Sequence, residues 1–421
     1  MSHVLLPVGE IFCYAYLYDR LLLRSGRSPR ANSSIDTGQA ACHISFANLL
    51  QKLDDLMTTV ILPLLVVILL QGVSVGSSKN DSPPALYVFG DSLFDSGNNN
   101  YLLTLAKANF RPYGTDFMRG PTGRFTNGRT VVDFIAEFVG LPYSPPYLSF
   151  QRKLLKSDEL PLTGLNFASA TCGILSDTGS TLGKCLSLEE QVNYFQQIVE
   201  KKLPGHFTKQ NDLSNYLSKS LFMVSVGSND YIFNYSDPHT DTSKRYSPQE
   251  FAELLTNSLS QQLRRLYNLG ARKLVVFGLG PIGCIPHNTV RFTHSGPCVE
   301  NINRPAVMFN NQEAKMLENL TSTLPGSSFS FGNGYWIGLD AFMNPSGYGL
   351  SNSSKACCVT WMNGTLGCIP GLKALACFEP NKYYFWDGFH PSETLYRTIA
   401  TNCFNGSSVC IPKNVKELIQ I

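Results

Sequence analysis

An α/β fold, with a parallel sheet wrapped by helices, is predicted by three features of the 421-residue sequence. Short apolar runs ending at or near Gly recur along it. Amphipathic stretches with helix start and stop signals lie between them. No internal repeat or linker interrupts the alternation. Strand–helix alternation of this kind implies parallel strands joined by helices that pack on the sheet faces.

Residues 57–76, "MTTVILPLLVVILLQGVSVG", form the strongest apolar run. Val60 to Leu70 is short for a bilayer span and has the length of a signal-peptide core, with the small residues Ser74 and Gly76 behind it. A start at Met57 would make it an ordinary N-terminal signal. Residues 1–56 are therefore expected to be an extension outside the working protein, and a signal-anchor is the rival reading. After signal removal no stable membrane span is expected. A Ser/Asn/Pro-rich spacer covers 77–84.

"ALYVFG" (85–90) then reads as the first buried strand. "RTVVDFIAEFVG" (129–140) has apolar residues at helical spacing and a Gly stop. "SLEEQVNYFQQIVEKKLPG" (187–205) opens on a Ser cap with two acids and closes on lysines, Pro and Gly. "SLFMVSVG" (220–227) is the next strand, and "SPQEFAELLTNSLSQQLRRLYNLGA" (247–271) begins with a capping box, Ser247 and Glu250. "KLVVFGLG" (273–280), a helix within "VMFNNQEAKMLENLTSTLPG" (307–326) and "SSFSFGN" (327–333) complete the alternation. One domain is expected over 85–410, followed by a tail at 411–421.

Net charge is +3, from 34 basic and 31 acidic residues with no basic block, so nucleic acid is not an expected partner. Cys13 and Cys42 precede the apolar run. The other ten cysteines are an even set in near pairs, which points to disulfides in an oxidising compartment. Cys172/Cys185, Cys284/Cys298 and Cys403/Cys410 are plausible local pairs, while Cys357, Cys358, Cys368 and Cys377 allow more than one connectivity. No Cys-x-x-Cys spacing supports zinc there. Glycosylation acceptors at Asn234, Asn319, Asn352, Asn363 and Asn405 suit the same secretory reading.

In such sheets ligands bind beyond the C-terminal ends of the strands, so the loops after Gly90, Gly227 and Gly280 are where chemistry is expected. "FGDSLFDSGNNN" (89–100) places Ser92 at the mouth of the first strand. "SVGSND" (225–230) lets Asn229 aim its amide at the same mouth, and in "GLNFASATCG" (164–173) Gly173 can bring a backbone N–H close to a ligand. Each stretch alone also describes a common turn. "FGLGPIG" (277–283) matches a dinucleotide fingerprint, but Pro281 and Pro286 stand where its helix would begin, and it reads as a turn lining the site. Gly-x-Ser-x-Gly, His-Glu-x-x-His and P-loop motifs are absent from the sequence, and no metal or organic cofactor is expected. "WDGFHP" (386–391) supplies what a weak serine nucleophile needs. His390 is a candidate base, and Asp387 can hold its ring and tautomer. The aromatics Phe94, Tyr101, Phe385, Trp386 and Phe389 can line an acyl groove or pack in the core.

Taken together, "FGDSLFDSGNNN", "GLNFASATCGIL", "VGSND" and "WDGFHP", with "GRFTNGRTVVDFIAEFVGLP" and "GPIGCIP", resemble the plant GDSL esterase/lipase family of the SGNH hydrolase superfamily over roughly 85–410. The resemblance implies a flavodoxin-like three-layer sandwich. It implies Ser92, Asp387 and His390 as a catalytic triad, and Gly173 and Asn229 with the Ser92 N–H as an oxyanion hole. Relatives often carry adjacent glycines where this chain has Ala170-Thr171-Cys172-Gly173. The expected protein is a secreted esterase or lipase acting on lipid, cutin-type or acetylated-sugar esters. An acyltransferase using the same acyl-enzyme and a catalytically silent secreted binding protein are the alternatives. Acyl-chain length and oligomeric state are left open.

Overall fold

The computed structural model describes residues 51, 55, 57–61, 82–153, 160–362, 366–371 and 373–421. Within residues 1–80 the described part includes a π-helical turn at Met57–Ile61; the rest of the expected signal run and nearly all of the expected extension lie outside the described residues. Residues 81–421 form one compact unit.

Its sheet contains β1 (Leu86–Gly90), β2 (Leu221–Ser225), β3 (Lys273–Phe277) and β4 (Ser328–Gly332), all parallel and in that spatial order. Every residue of these four strands is buried. That explains the continuous apolar runs: a sheet covered on both faces has no polar side to alternate with. Side chains still alternate between two cores. Tyr87, Phe89, Phe222, Val224, Leu274 and Val276 face one. Leu86, Val88, Leu221, Met223, Val275 and Phe277 face the other.

The first face is covered by helices α2 (Leu188–Lys201), α3 (Pro248–Asn268) and α4 (Glu300–Thr323). The second is covered by α1 (Val131–Phe138), α5 (Gly334–Met343), α6 (Glu393–Asn405) and α7 (Val415–Ile419). Three layers result. Capping boxes at Thr130/Asp133, Ser187/Glu190 and Ser247/Glu250 start α1, α2 and α3, satisfying amides that the first helical turn leaves unpaired. Helix α4 starts at Glu300 rather than Val307; Pro305 lies inside it, where a proline in sequence reads as a break.

Beyond the far edge of β1, residues 163–169 run parallel to it. The amides of Leu86 and Val88 donate to the carbonyls of Thr163 and Leu165 (both 3.0 Å), and those of Phe167 and Ser169 return to Val88 and Gly90 (2.7 and 2.9 Å). With this segment counted second in chain order, the parallel order becomes 2-1-3-4-5, the flavodoxin-like arrangement. A short parallel pair, β5 (Asn352–Ala356) with β6 (Tyr383–Phe385), stands apart, and β7 (Cys410–Ile411) closes the main sheet antiparallel to β4. Residues 411–421, set apart in the sequence as a tail, instead carry part of β7 and α7, whose Val415 and Leu418 are fully buried.

Among the described residues five disulfides join Cys172–Cys185, Cys284–Cys298, Cys403–Cys410, Cys357–Cys377 and Cys358–Cys368. The last two resolve the connectivity that spacing left open. Among the described residues no helix is long and apolar enough to cross a membrane.

Candidate active site

Strand β1 ends at Gly90 with φ +143°, and a Cβ there would meet the Ser225 carbonyl oxygen at 2.1 Å. Only glycine lets β1 and β2 stay paired to this point. Gln191 of α2 clasps the same peptide. Its Oε1 accepts from Gly90 N–H and its Nε2 donates to Gly90 O, each at 2.8 Å. The chain then turns, with the Asp95 amide donating to Asp91 O at 3.0 Å, and Ser92 comes to the wall of a cavity of about 510 Å³.

The rest of the "FDSGNNN" stretch frames this loop. The Asp95 carboxylate accepts the amides of Gly97 and Asn98 at 2.6 and 2.7 Å, and burial pushes its pKa up to about 6 against those bonds. Asn99 Oδ1 accepts the Ala170 amide at 3.0 Å and the Ser169 hydroxyl at 2.6 Å. Asn98 Nδ2 donates to the carbonyls of Asn166 and Ala168, both at 2.8 Å. These side chains bind the first loop to the second, and they carry no exposed polar atom into the cavity.

After β2, Asn229 lies in a short helix, Ser228–Asp230, and reaches the cavity. Its Nδ2 donates to Cys172 O at 2.9 Å, which uses one of its two hydrogens. "WDGFHP" follows β6. Asp387 Oδ1 accepts the amides of Phe389 and His390 at 2.8 Å each, an Asx-type turn that brings the His390 ring back over the carboxylate.

Four of the five expected residues meet here. His390 Nε2 stands 2.8 Å from Ser92 Oγ, and His390 Nδ1 stands 2.8 Å from both Asp387 oxygens. Ser92, Asn229, Asp387 and His390 all line the cavity. Asp387 is wholly buried, which by itself would raise its pKa; the adjacent His390, with bonds from His390, Tyr113 and Phe389, holds it below the ordinary carboxylate value instead. Asp91 next to the serine has fewer donors, and burial pushes it up to about 7.

Gly173 is the exception. It does not line the cavity, and a Cβ on it would meet the buried Asp230 carboxylate at 2.3 Å. That carboxylate accepts the amides of Ile174 and Leu175 and the Thr178 hydroxyl, at 2.8, 3.1 and 2.8 Å. The wall position belongs to Ala170 and Thr171. Thr171 has φ +71°, a left-handed conformation that a β-branched residue adopts only under constraint. Of the aromatics, Phe94, Phe385 and Phe389 line the cavity, whereas Trp386 is buried in a separate core and Tyr101 packs against the first one. Gly278, Gly280, Pro281 and Ile282 also form part of the wall, and a six-residue helix starts only at Pro286.

Comparison with known proteins was decisive on family. The profile of the GDSL-like lipase/acylhydrolase family matches residues 86–402. The chain belongs to that family. Among its relatives in Arabidopsis thaliana is GDSL esterase/lipase 7, 45% identical over 85% of this chain and 98% of the relative. Two further GDSL esterase/lipases of the same plant are 41% identical over 80% of this chain and 91% of the relative, and 38% identical over 89% and 98%. This GDSL protein is accordingly a carboxylic ester hydrolase. Its fold, a mostly parallel sheet between two helical layers, agrees with the family.

Sequence reasoning missed two residues of the site. Thr171 carries no motif signal. Tyr113, whose hydroxyl donates to Asp387 Oδ2 at 2.6 Å, lies in "FRPYGTD", between the blocks singled out and in none of them.

Proposed function

We propose that the protein is a secreted serine esterase in which Ser92 is the nucleophile, His390 the base and Asp387 the group that orients it. The observation that carries this reading is the unbroken chain from Ser92 Oγ through His390 to Asp387, with 2.8 Å at each link. Ser92 Oγ attacks the ester carbonyl carbon and its proton passes to Nε2. The former carbonyl oxygen becomes an oxyanion. Collapse expels the alcohol, which takes the proton from the imidazolium, and leaves the acyl group on Ser92. Water then attacks the acyl-enzyme, giving its proton to His390, and the acid departs as the proton returns to Ser92.

Three donors serve the oxyanion: the Ser92 amide, the second hydrogen of Asn229 Nδ2, and the Thr171 amide in place of the Gly173 amide. Thr171 fits because it lies on the cavity wall and holds a strained backbone there. The acyl chain lies along the apolar wall formed by Ile232, Phe233, Ile282, Ile285 and Phe389, so the substrate is an ester with an apolar acyl group. Secretion is supported by the apolar run at 57–76 and by the five disulfides. The test is Ser92→Ala with a p-nitrophenyl ester and a fluorophosphonate probe. Both turnover and labelling are expected to vanish while the circular dichroism stays native. Full turnover in that variant would end the proposal.

A further inference from the structure

We infer that Tyr113 is a positioning residue for the Asp387–His390 pair, with its hydroxyl aimed by the disulfide-stapled loop 357–377. The inference rests on the proposed triad and adds to it a group that acts through the Asp387 carboxylate.

Tyr113 is 1% exposed. Its hydroxyl donates to Asp387 Oδ2 at 2.6 Å and accepts the Cys368 amide at 3.1 Å. With a donor pressing on the oxygen from one side, the single hydroxyl hydrogen is left pointing at the carboxylate. Asp387 Oδ1 is already held by two amides, so Tyr113 is what ties down the other oxygen. Both oxygens are then fixed against the His390 Nδ1 edge.

The donor to Tyr113 belongs to a loop built onto the same segment. Cys368 is bonded to Cys358, and the amides of Cys357 and Cys358 donate to the carbonyls of Phe385 and Trp386 at 3.0 and 2.9 Å. The Gly388 amide donates back to Leu366 O at 3.1 Å. Cys357, Cys358, Leu366 and Cys368 are therefore tied directly to the segment that carries Asp387. The Tyr113 ring is held edge-on by Phe110 and Phe125, with centroids 5.4 and 5.9 Å away, and Phe125 in turn lies 5.1 Å from the His390 ring. The other titratable groups interacting with the pair are Asp91 from the β1 loop and Tyr396 from α6.

Removing the hydroxyl leaves the buried carboxylate with one donor fewer. A buried carboxylate that loses a donor holds the proton it shares with its partner more tightly, so the acidic limb of the Asp387–His390 pair moves to higher pH. The experiment is Tyr113→Phe, read as kcat, KM and the pH profile of kcat/KM on a p-nitrophenyl ester, beside Ser92→Ala. The expected result is a kcat about tenfold lower, a nearly unchanged KM, and an acidic limb displaced to higher pH. A wild-type rate and profile would overturn the inference, as would a loss equal at every pH that tracks the fraction of folded protein. If the phenylalanine variant does not fold, Gly367→Ala takes its place. A Cβ at Gly367 would meet the Tyr113 hydroxyl at 2.9 Å, pushing it while leaving it present. The same displacement of the limb, smaller in size, is expected, and an unmoved limb overturns the inference. Turnover by Ser92→Ala defeats the triad itself, whereas a dead Ser92→Ala beside an unaltered Tyr113→Phe defeats only the role given to Tyr113.

Discussion

Replacing Asp387 by Asn changes one atom and no volume, yet the hydrogen bonds around it predict near-total loss of activity. Four donors converge on the carboxylate: the Tyr113 hydroxyl, the amides of Phe389 and His390, and the His390 ring. Asparagine has a single acceptor oxygen. The two amides lie on Oδ1 and cannot turn, so they claim it, and the new NH2 falls at the Oδ2 position. There it faces the Tyr113 hydroxyl, already used as an acceptor by the Cys368 amide, and His390 Nδ1. The NH2 donates to Nδ1 and drives the ring proton onto Nε2, the atom 2.8 Å from Ser92 Oγ. The base is then blocked by its own tautomer. In serine hydrolases the same substitution costs about 10⁴ in kcat, or ~5 kcal/mol of transition-state stabilisation. The expected outcome for Asp387→Asn is a kcat about 10⁴-fold down on a p-nitrophenyl ester, a KM changed by less than about threefold, and native circular dichroism. Nitrogen-15 NMR of the His390 ring gives an independent check, with the proton found on Nε2 rather than Nδ1. A variant keeping more than about a tenth of native kcat would refute the reasoning, because no carboxylate would then be required behind the base.

Three further outcomes follow from buried groups. Glu313 on α4 has both oxygens buried without a partner, and burial alone pushes its pKa up to about 8. Its folded pKa exceeds the unfolded one, so its stabilising share is complete below pH 4.5 and is lost as pH rises towards 8; Glu313→Gln should match the native melting temperature at pH 4.5 and exceed it increasingly up to pH 8. Gly173→Ala sets a methyl against the Asp230 carboxylate and should lower stability by ~1–3 kcal/mol in urea unfolding. Thr171→Gly removes a strained side chain but keeps the amide, and should raise the melting temperature, by ~1 kcal/mol of stability, with kcat changed less than about threefold.

The parts legible in the sequence are those whose cause is local. Strands β1 to β4 announce themselves because both faces are buried, and the boxes at Ser187/Glu190 and Ser247/Glu250 mark helix starts because capping needs only a three-residue spacing. Asp387 and His390 belong here too, since the turn that joins them is made by the Asp387 carboxylate accepting the amides of Phe389 and His390. What stayed hidden is set by chain segments far apart. The segment 163–169 has few apolar residues to signal a strand, yet β1 offers it a free edge. The pairing of Cys357 with Cys377 and of Cys358 with Cys368 depends on how the loop lies along Phe385 and Trp386, which spacing does not encode.

The glycine at position 173 has a physical reason other than ligand approach. A glycine near an active-site loop suggests backbone approach to a ligand, but the missing side chain can equally be demanded by a neighbour on the other side. At Gly173 that neighbour is Asp230, which binds the amides of the following turn. The backbone conformation glycine would have eased falls instead on Thr171, two residues earlier, where the Asp95 and Asn99 side chains hold Ala170 and leave the next residue little choice. The strain is thus imposed from the "FDSGNNN" stretch, on the same loop as Ser92. The loop that carries Ser92, the proposed nucleophile, thus also holds the neighbouring loop, so substitutions at Asp95 or Asn99 would disturb the site through the position of Thr171.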